Sequence, residues 1–372
     1  MHNSNSKKSK KIRVLHVLGT LNIGGAESRI MEIYRNINRE LIQFDFLVHT
    51  EEKNKFHKEI EEMGGNIYVF PKFNGFNYFK YVHEWKRFFF KHEEVQVIHA
   101  HQTTLAFIYL RVARKYKHIK KRIAHARNSS KDNFIKLLLA KLSRYFATDL
   151  FAVSKLAARS EFGKKLTTSK VKIIPNGFDY ERYLFSDENR LKIRQQLSIS
   201  KESLVFIHAG RFHPQKNHKL LLEIFDKVSQ KISDAYLLLL GDGKEKQNIL
   251  NRVKDLNLEK KVKLIGIKSN IGEYYSAADC MLFPSLYEGL PGAAIEAQIN
   301  GLKIFLSDRI TKDVAISNRV TFLPINKGPE LWEEEVIKSI SDLKRTNVRV
   351  SNTFEIHKIA KGYEKIYGVI RI

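Results

Sequence analysis

Glu288 and Glu296 are the residues of this chain whose type and spacing most directly suggest chemistry. Seven residues separate them in the string SLYEGLPGAAIEA at 285–297. The apolar run before them, ADCMLFPS at 278–285, predicts a buried strand of a parallel sheet. Glu288 is then expected in the loop at the carboxyl end of that strand. A Gly-Leu-Pro-Gly turn follows, and the helix-forming residues after it predict a helix that carries Glu296 in its first turns.

Two carboxylates beside the start of a helix suit a sugar nucleotide. A carboxylate accepts hydrogen bonds from the vicinal hydroxyls of a sugar or ribose. Free backbone N–H groups at the positive end of a helix suit a diphosphate. The alternative interpretation of the same residues is an acidic loop followed by a glutamate at a helix start, with no ligand.

Arg211 and Lys216 are the predicted phosphate ligands. The run ending in HAG at 208–210 predicts a strand, and RFHPQKN at 211–217 forms the loop after it. A guanidinium and an ammonium in such a loop can offset the charge that grows on a departing diphosphate. His213 and His218 lack a carboxylate at metal-ligand spacing, so both are expected to be solvated loop histidines.

Histidines and an arginine also end predicted strands in the first half of the chain. His101 closes the strand-like VQVIHAH, and His99 shares its strand face at a deeper position. His125 and Arg127 close the next strand, in IAHARNSS, and are further candidates for a ligand site. Ordinary core or loop histidines are the alternative.

Gly24 and Gly25 follow the first predicted strand and precede a helix, so the backbone there can approach a ligand closely. A simple tight turn would explain the same two glycines.

The chain resembles the retaining glycosyltransferases of family 4. Besides the double-glutamate string, the likeness covers nearly the whole sequence in order and spacing. The strings that carry it are VLHVLGTLNIGGAESRI, VIHAHQ, FAVSKLAARSEFG, IIPNGFDYERY, HAGRFHPQKNHKLLLEIF, LLLLGDGKEKQNIL and VKLIGIKSNIGEYYSAADCMLFPS. The resemblance implies an α/β chain with the GT-B fold: two Rossmann-like parallel-sheet domains facing across a cleft, with a C-terminal helix crossing back to the first domain.

The same resemblance implies roles for individual residues. It places a histidine that touches the transferred sugar at His101, phosphate ligands at Arg211 and Lys216, and a glycine-rich donor loop at Gly24 and Gly25. The catalytic candidates are His101, Glu288, Arg211 and Lys216, and the acceptor-side candidates are His125 and Arg127. The remaining donor-binding candidates are Gly241, Ile265, Gly289, Leu290 and Glu296.

The chain departs from the family pattern after Glu296, where NGLKIFLSDRITKDV replaces the usual Gly-x-Pro-Val and a later Gly-Gly. The variant tail looks like the branch found in bacterial capsule and exopolysaccharide clusters. That likeness predicts a nucleotide-sugar donor, with a UDP-sugar favoured, and a lipid-pyrophosphate-linked sugar acceptor.

Domain boundaries follow from two series of short apolar runs that alternate with amphipathic segments, a pattern typical of βα architecture. The sequence predicts a basic disordered tail over 1–11, an acceptor-side domain over 12–180 and a donor-binding domain over 181–354. Residues 355–372 have apolar side chains at helical intervals and are expected to pack back on the first domain. With 372 residues and 43% hydrophobic content, both domains can have a core of ordinary size.

The net charge of +25 is concentrated in the first half of the chain. Residues 1–178 hold 34 Lys and Arg against 15 Asp and Glu, whereas residues 179–372 hold 31 against 25. Three basic, aromatic segments at 76–92, 105–122 and 134–146 have the pattern of amphipathic helices that could lie on an anionic membrane. Core-facing helices with solvated basic faces are the alternative. No nucleic-acid recognition module is present, so no nucleic-acid partner is predicted.

Cofactors are predicted to be absent. The sequence contains no Asp-x-Asp, the pair that holds a divalent cation in the other major glycosyltransferase architecture, so metal-independent transfer is expected. The single cysteine, Cys280, lies in an apolar run and is expected to be a buried hydrophobe. No apolar run approaches the length of a membrane span and no signal peptide is evident. The expected location is the cytoplasm, peripheral on the inner face of the cell membrane.

Two other functions stay open from the sequence. One is a nucleotide-sugar epimerase with the same fold. The other is a non-catalytic, membrane-binding partner subunit of an active glycosyltransferase.

Overall fold

The computed structural model describes residues 11–22, 25–51, 55–127, 134–163, 170–345 and 350–368, without the side chains of 134–137. The chain divides into two compact units. The first comprises Met1–Phe178 and Phe354–Ile372, and the second comprises Asp179–Thr353. The tail predicted over residues 1–11 lies, apart from Lys11, outside the described residues, as does Gly24.

The first unit contains a seven-stranded parallel sheet. Its strands are β1 (Ile12–Val17), β2 (Ile42–Val48), β3 (Ile67–Val69), β4 (Val95–Ala100), β5 (Lys121–Ala126), β6 (Asp149–Ala152) and β7 (Val171–Ile173). Its helices are α1 (Gly25–Asn36), α2 (His57–Glu62), α3 (Tyr78–Lys91), α4 (Thr103–Ala113), α5 (Phe134–Ser143), α6 (Lys155–Phe162) and α13 (Ile356–Tyr367). The strand order is β3-β2-β1-β4-β5-β6-β7, so the order reverses between β1 and β4.

Side chains of β1 alternate between two cores. Leu15 and Val17 join the core that includes Trp85 of α3 and Tyr109 of α4. Val14 joins the opposite core, where α1 and α13 cover the sheet. The C-terminal helix therefore packs on the first unit, as predicted, and Glu355 caps its start by accepting hydrogen bonds from the backbone of His357 and Lys358.

The second unit contains a six-stranded parallel sheet. Its strands are β8 (Leu204–Ala209), β9 (Ala235–Leu240), β10 (Val262–Gly266), β11 (Cys280–Phe283), β12 (Lys303–Ser307) and β13 (Val320–Leu323). Its helices are α7 (Asp187–Gln196), α8 (His218–Lys231), α9 (Lys246–Asp255), α10 (Ile271–Ala277), α11 (Gly292–Ile299) and α12 (Gly328–Lys338). The strand order is β10-β9-β8-β11-β12-β13, so this sheet reverses between β8 and β11.

The core of the second unit packs the apolar face of α8 and Trp332 of α12 against β8, β9, β11 and β12. Cys280 is fully buried in this core, as predicted. The α/β fold with two parallel-sheet units is thereby confirmed.

The predicted extent of one of the three amphipathic helices is wrong. The segment 105–122 forms a helix only as far as Ala113, and Lys121 begins β5. Most side chains of α4 are buried, which leaves little room for a membrane-facing side. Among the described residues, no helix is both long enough and apolar enough to cross a bilayer.

Candidate active site

The second unit places its predicted site residues where its sheet reverses direction. Strands β8 and β11 are neighbours, and the loops after them carry Arg211 and Lys216 on one side and Glu288 on the other. Ligands of open α/β sheets bind at the carboxyl ends of the strands at this reversal point. The sequence predicted each of these loops, and the strand order brings them together.

Lys216 and Glu288 form a direct ion pair. Lys216 Nζ donates a hydrogen bond to Oε1 of Glu288 at 2.7 Å, and both side chains are largely buried. The ammonium also lies 4.6 Å from the centre of the Phe283 ring, which adds a cation–π contact. Packing and pairing together fix the position of the ammonium.

Further hydrogen bonds tie the same two loops together. The backbone N–H of Leu286 donates to the backbone carbonyl of Gln215 at 2.8 Å. The side-chain Nε2 of Gln215 donates in turn to the backbone carbonyl of Tyr287 at 2.8 Å. Asn217 Nδ2 donates to the carbonyl of Pro284 at 3.2 Å. The loop that carries Lys216 and the loop that carries Glu288 are therefore held as one surface.

Gly241 allows the loop after β9 to pack against this surface. Its φ is +142°, and a Cβ placed on it would lie 1.9 Å from the carbonyl oxygen of Gly210. Only glycine fits such a close approach of two backbones. The structure thus gives Gly241 a packing role, and its predicted contact with the donor remains a prediction.

Glu296 lies in the second turn of α11, and its Oε2 accepts a hydrogen bond from the Tyr275 hydroxyl at 2.9 Å. Sequence reasoning missed Tyr275, because no pattern connects α10 with α11. Pro291 occupies the N-cap position of α11, and its side chain accepts no hydrogen bond from the first N–H groups of this helix.

The other donor candidates occupy the same loops or the same sheet edge. Arg211 is exposed, whereas Gly289 and Leu290 are half-buried in the loop between Glu288 and α11. Ile265 is half-buried near the carboxyl end of β10, the edge strand of the second unit.

His218 differs from its prediction. It is the first residue of α8, it is only 5% exposed, and its ring packs against Phe212. The left-handed backbone of Asn217 turns the chain so that the helix starts at this residue. Burial lowers the pKa of His218 to about 4, and Lys216 contributes to the shift.

The first unit groups four histidines on one face of its sheet, near the carboxyl ends of β1, β4 and β5. They are His16, His99, His101 and His125. His99 is fully buried and His101 is 9% exposed, in line with the expected order of depth. Sequence reasoning missed His16, although it alternates with Leu15 and Val17 along β1.

The ring nitrogens of His101 both have partners. Arg127 Nε donates to His101 Nδ1 at 2.8 Å, and His101 Nε2 lies 2.9 Å from His16 Nδ1. A guanidinium can only donate, so His101 Nδ1 carries no proton. The neutral ring is then protonated at Nε2 and donates to His16, whose own proton must sit on Nε2.

His99 contacts both the C-terminal helix and His125. His99 Nδ1 lies 2.8 Å from the Tyr367 hydroxyl, and its Nε2 lies 3.0 Å from His125 Nδ1. Burial is the largest cause that lowers the pKa of each ring in this group well below the ordinary value, and Arg127 adds to it. All four histidines are therefore neutral at physiological pH.

Three of these histidines could be considered for a metal ion. One nitrogen of each of His16, His99 and His101 lies within 4.8 Å of the others. Both ring nitrogens of His99 and His101 are engaged in hydrogen bonds, and the adjacent guanidinium of Arg127 would repel a cation. The arrangement favours hydrogen-bonded neutral rings.

Gly25 is the first residue of α1, and a Cβ placed on it would meet no atom within 4 Å. Packing therefore does not explain the glycine at this position. Its predicted role beside the donor stays a prediction.

Two family descriptions cover most of the chain. "Glycosyltransferase Family 4" matches residues 23–182 and "Glycosyl transferases group 1" matches residues 189–354. The putative glycosyltransferase EpsF of Bacillus subtilis (strain 168) is 30% identical over 89% of this chain and 88% of its own length. This chain belongs to glycosyltransferase family 4.

Other relatives indicate a setting in surface polysaccharide synthesis. The capsular polysaccharide biosynthesis glycosyltransferase CapH of Staphylococcus aureus is 27% identical over 96% of this chain and 98% of its own. A UDP-Gal:alpha-D-GlcNAc-diphosphoundecaprenol alpha-1,3-galactosyltransferase of Escherichia coli is 28% identical over 55% of this chain and 53% of its own. The chain is a glycosyltransferase of polysaccharide biosynthesis.

The fold of this family 4 member matches solved structures. The crystal structure of Anabaena Alr3699/HepE in complex with UDP and glucose has a TM-score of 0.79 and 20% identity. The match covers 96% of this chain and all of the other. Comparison with glycosyltransferases of this kind confirms the GT-B fold.

Proposed function

We propose that this glycosyltransferase moves a hexose from a UDP-sugar to a lipid-diphosphate-linked saccharide, with retention of anomeric configuration and without a metal cofactor. The observation that carries the proposal is the Lys216–Glu288 pair, which lies between two joined loops where the sheet of the second unit reverses. That geometry provides a fixed cation and a fixed carboxylate at the edge where nucleotides bind in such sheets.

Lys216, Arg211 and the start of α11 supply positive charge in the proposed donor site. The lysine is held by packing, whereas Arg211 is exposed and able to move toward a ligand. Backbone N–H groups at the start of a helix favour a phosphate. These groups would offset the charge on the departing nucleotide diphosphate, the task that a divalent cation performs elsewhere.

The two glutamates have different tasks in this proposal. Glu296 accepts a hydrogen bond from the Tyr275 hydroxyl. We assign it to a hydroxyl of the nucleotide ribose, so that it contributes to the affinity for the donor. Glu288 holds Lys216 and is assigned to the transferred sugar, which sets turnover. Neither acts as a nucleophile: the leaving phosphate oxygen accepts the proton of the acceptor hydroxyl as the new bond forms on the same face of the sugar.

The names of relatives support both substrates. The HepE structure contains UDP and glucose, which supports a UDP-sugar donor. The Escherichia coli relative acts, by its name, on a sugar linked to diphosphoundecaprenol, which supports a lipid-diphosphate acceptor.

Helix α3 supports docking on an anionic membrane. Phe79 and Phe90 are 85% and 75% exposed, and Phe76 just before the helix is 99% exposed. At 100° per residue, Phe79, Lys86 and Phe90 fall within about 40° of one another on the helix surface. The same exposed side carries Lys80, His83, Arg87 and Lys91.

An aromatic stripe with basic flanks matches a bilayer that has apolar chains below anionic headgroups. The opposite side of α3 buries Tyr81, Trp85, Phe88 and Phe89 in the core, so the exposed phenylalanines are not required to hold the helix on the unit. We assign the inner face of the cell membrane as the partner of this stripe.

A transfer assay tests the proposed function. The protein is incubated in EDTA with UDP-glucose, UDP-galactose or their N-acetyl forms and with a synthetic prenyl-diphosphate saccharide, and the product is analysed by mass spectrometry and by the anomeric proton coupling. The expected product is one added hexose with the donor's anomeric configuration. Inverted product would overturn the retaining mechanism, and free sugar without transfer would favour an epimerase. Binding without turnover would favour a non-catalytic partner subunit.

A further inference from the structure

Arg127 directly follows β5 and carries its guanidinium among neutral partners. Its Nε donates to His101 Nδ1 at 2.8 Å, and its Nη1 donates to Asn176 Oδ1 at 2.9 Å. The Tyr363 hydroxyl is a further partner. The side chain is half-buried, so one part of it stays accessible from outside the protein.

The charge of Arg127 is not compensated by a contacting carboxylate in the described part of the chain. No ion pair joins its guanidinium to an Asp or Glu there, although the charge of Glu27 attracts it and acts to raise its pKa. Burial lowers the pKa of Arg127 from its ordinary value. Buried charges in proteins are normally paired, so a guanidinium with neutral partners is suited to an anion that arrives from solution.

His101, itself held by His16, orients this guanidinium. His101 Nδ1 is a fixed acceptor because His101 Nε2 donates to His16, and Asn176 provides the second anchor. A guanidinium has five N–H donors, and three partners leave about two of them for a ligand. The planar guanidinium offers such paired donors to two oxygens of an oxyanion, and phosphates accept them well.

We propose that Arg127, anchored by His101 and Asn176, binds the diphosphate group of the acceptor in the first unit. The inference rests on the proposed function, because it takes the acceptor to be diphosphate-linked. The nucleotide diphosphate has the same chemistry, but its assigned partners are Lys216 and Arg211 in the second unit. His16 is a positioning residue in this account, since it acts on Arg127 only through His101.

Histidine ring ¹⁵N–¹H spectra test the site with inorganic pyrophosphate and, separately, with UDP. Four proteins are compared: wild type, Arg127→Gln, Lys216→Ala and a control, Arg122→Gln, which changes an arginine near the amino end of the same strand. Signals of His101 and His16 are assigned with His101→Gln and His16→Gln. Free His101 is expected as the neutral Nε2–H form.

Pyrophosphate is expected to shift the His101 signals in wild type, in Arg122→Gln and in Lys216→Ala, and to bind at least about tenfold more weakly in Arg127→Gln. If Arg127→Gln fails to fold, the wild-type and Lys216→Ala titrations still decide. Unmoved His101 signals, or equal shifts in Arg127→Gln, would overturn the site.

Shifts caused by UDP and abolished in Lys216→Ala would assign Arg127 to the donor instead, which also overturns the proposal. A failure here with intact transferase activity would leave the proposed function standing.

Discussion

Lys216 and Glu288 lie 2.7 Å apart between loops that follow neighbouring strands of the second unit. The pair joins the predicted phosphate ligand to the predicted catalytic carboxylate, although 72 positions separate them along the chain. A diphosphate that approaches Lys216 would share the ammonium with Glu288. Donor binding and the position of the catalytic carboxylate are therefore expected to be coupled.

Glu288→Gln and Glu296→Gln should affect different kinetic parameters. Glu288→Gln is expected to lower kcat by about 10² to 10³-fold, because it removes the negative charge that lies beside Lys216 and is assigned to the transferred sugar. Glu296→Gln is expected to raise the KM for the UDP-sugar roughly tenfold, because it weakens a charged hydrogen bond to the ribose. Steady-state kinetics with the variant Glu334→Gln, an exposed glutamate on α12, as control measures both. If kcat fell to a similar extent in both variants and KM rose to a similar extent in both, the two glutamates would not have separate roles.

Gly241→Ala should destabilise the second unit by about 2–4 kcal/mol, because the new methyl group would meet the Gly210 carbonyl in a backbone conformation that favours glycine. Gly362→Ala is the matched control. Gly362 lies inside α13, and a Cβ there would meet no atom within 4 Å. That substitution is expected to stabilise by about 0.5–1 kcal/mol. Urea unfolding of both variants gives the comparison, and an unchanged midpoint for Gly241→Ala would refute the packing role.

Sequence patterns predicted the strands, the loops after them and the site residues those loops carry. Turn chemistry and short apolar runs are local signals, so Glu288 and Lys216 could be placed on loops without a structure. Their pairing depends on strand order, which decides that β8 lies beside β11. Long-range order of this kind has no local signature, and only the family resemblance anticipated it.

Other features escaped prediction for identifiable reasons. His16 entered the candidate site because β1 lies beside β4, so the pairing of residues 85 positions apart was invisible in the sequence. The segment 105–122 has basic and apolar residues throughout, and nothing local separates the end of α4 at Ala113 from the start of β5. His218 was mistaken for a solvated residue, since the turn at Asn217 that buries it depends on a left-handed backbone.

Stability should fall as the pH drops below the ordinary histidine pKa of 6.5. Among the described residues, burial lowers the pKa of seven histidines in the folded state: His16, His49, His99, His101, His125, His208 and His218. The unfolded chain takes up protons on them below about pH 6.5, whereas the folded chain does not. Each such histidine then costs about 1.4 kcal/mol per pH unit.

Thermal unfolding between pH 8 and pH 5 measures this linkage. The expected Tm is constant above about pH 7 and falls steeply below 6.5, before most carboxylates titrate. The control His83→Gln removes an exposed histidine and should leave the profile unchanged. A Tm that stays level down to pH 5 would show that the buried rings are not neutral in the folded protein.

The exposed stripe of α3 should bind anionic vesicles. Phe79→Ala combined with Phe90→Ala is expected to reduce sedimentation with phosphatidylglycerol vesicles by about tenfold, while neither protein binds pure phosphatidylcholine. Leu191→Ala, which truncates an exposed apolar residue of α7 in the second unit, is the control. High salt should weaken the binding of wild type. Equal binding by the double variant and by wild type would show that α3 does not contact the membrane.

A thermal-shift comparison of UDP, GDP and ADP in EDTA with wild type, Lys216→Ala and Lys219→Ala tests directly whether Lys216 forms a metal-free donor site. Lys219 is an exposed lysine three residues further on, so it controls for the loss of a nearby charge. A ligand at about 100 times its Kd adds roughly 2.7 kcal/mol of stability. UDP is expected to stabilise wild type and Lys219→Ala and to have little effect on Lys216→Ala. Stabilisation only when a divalent metal is added, or equal stabilisation of Lys216→Ala, would contradict a metal-free donor site built on Lys216.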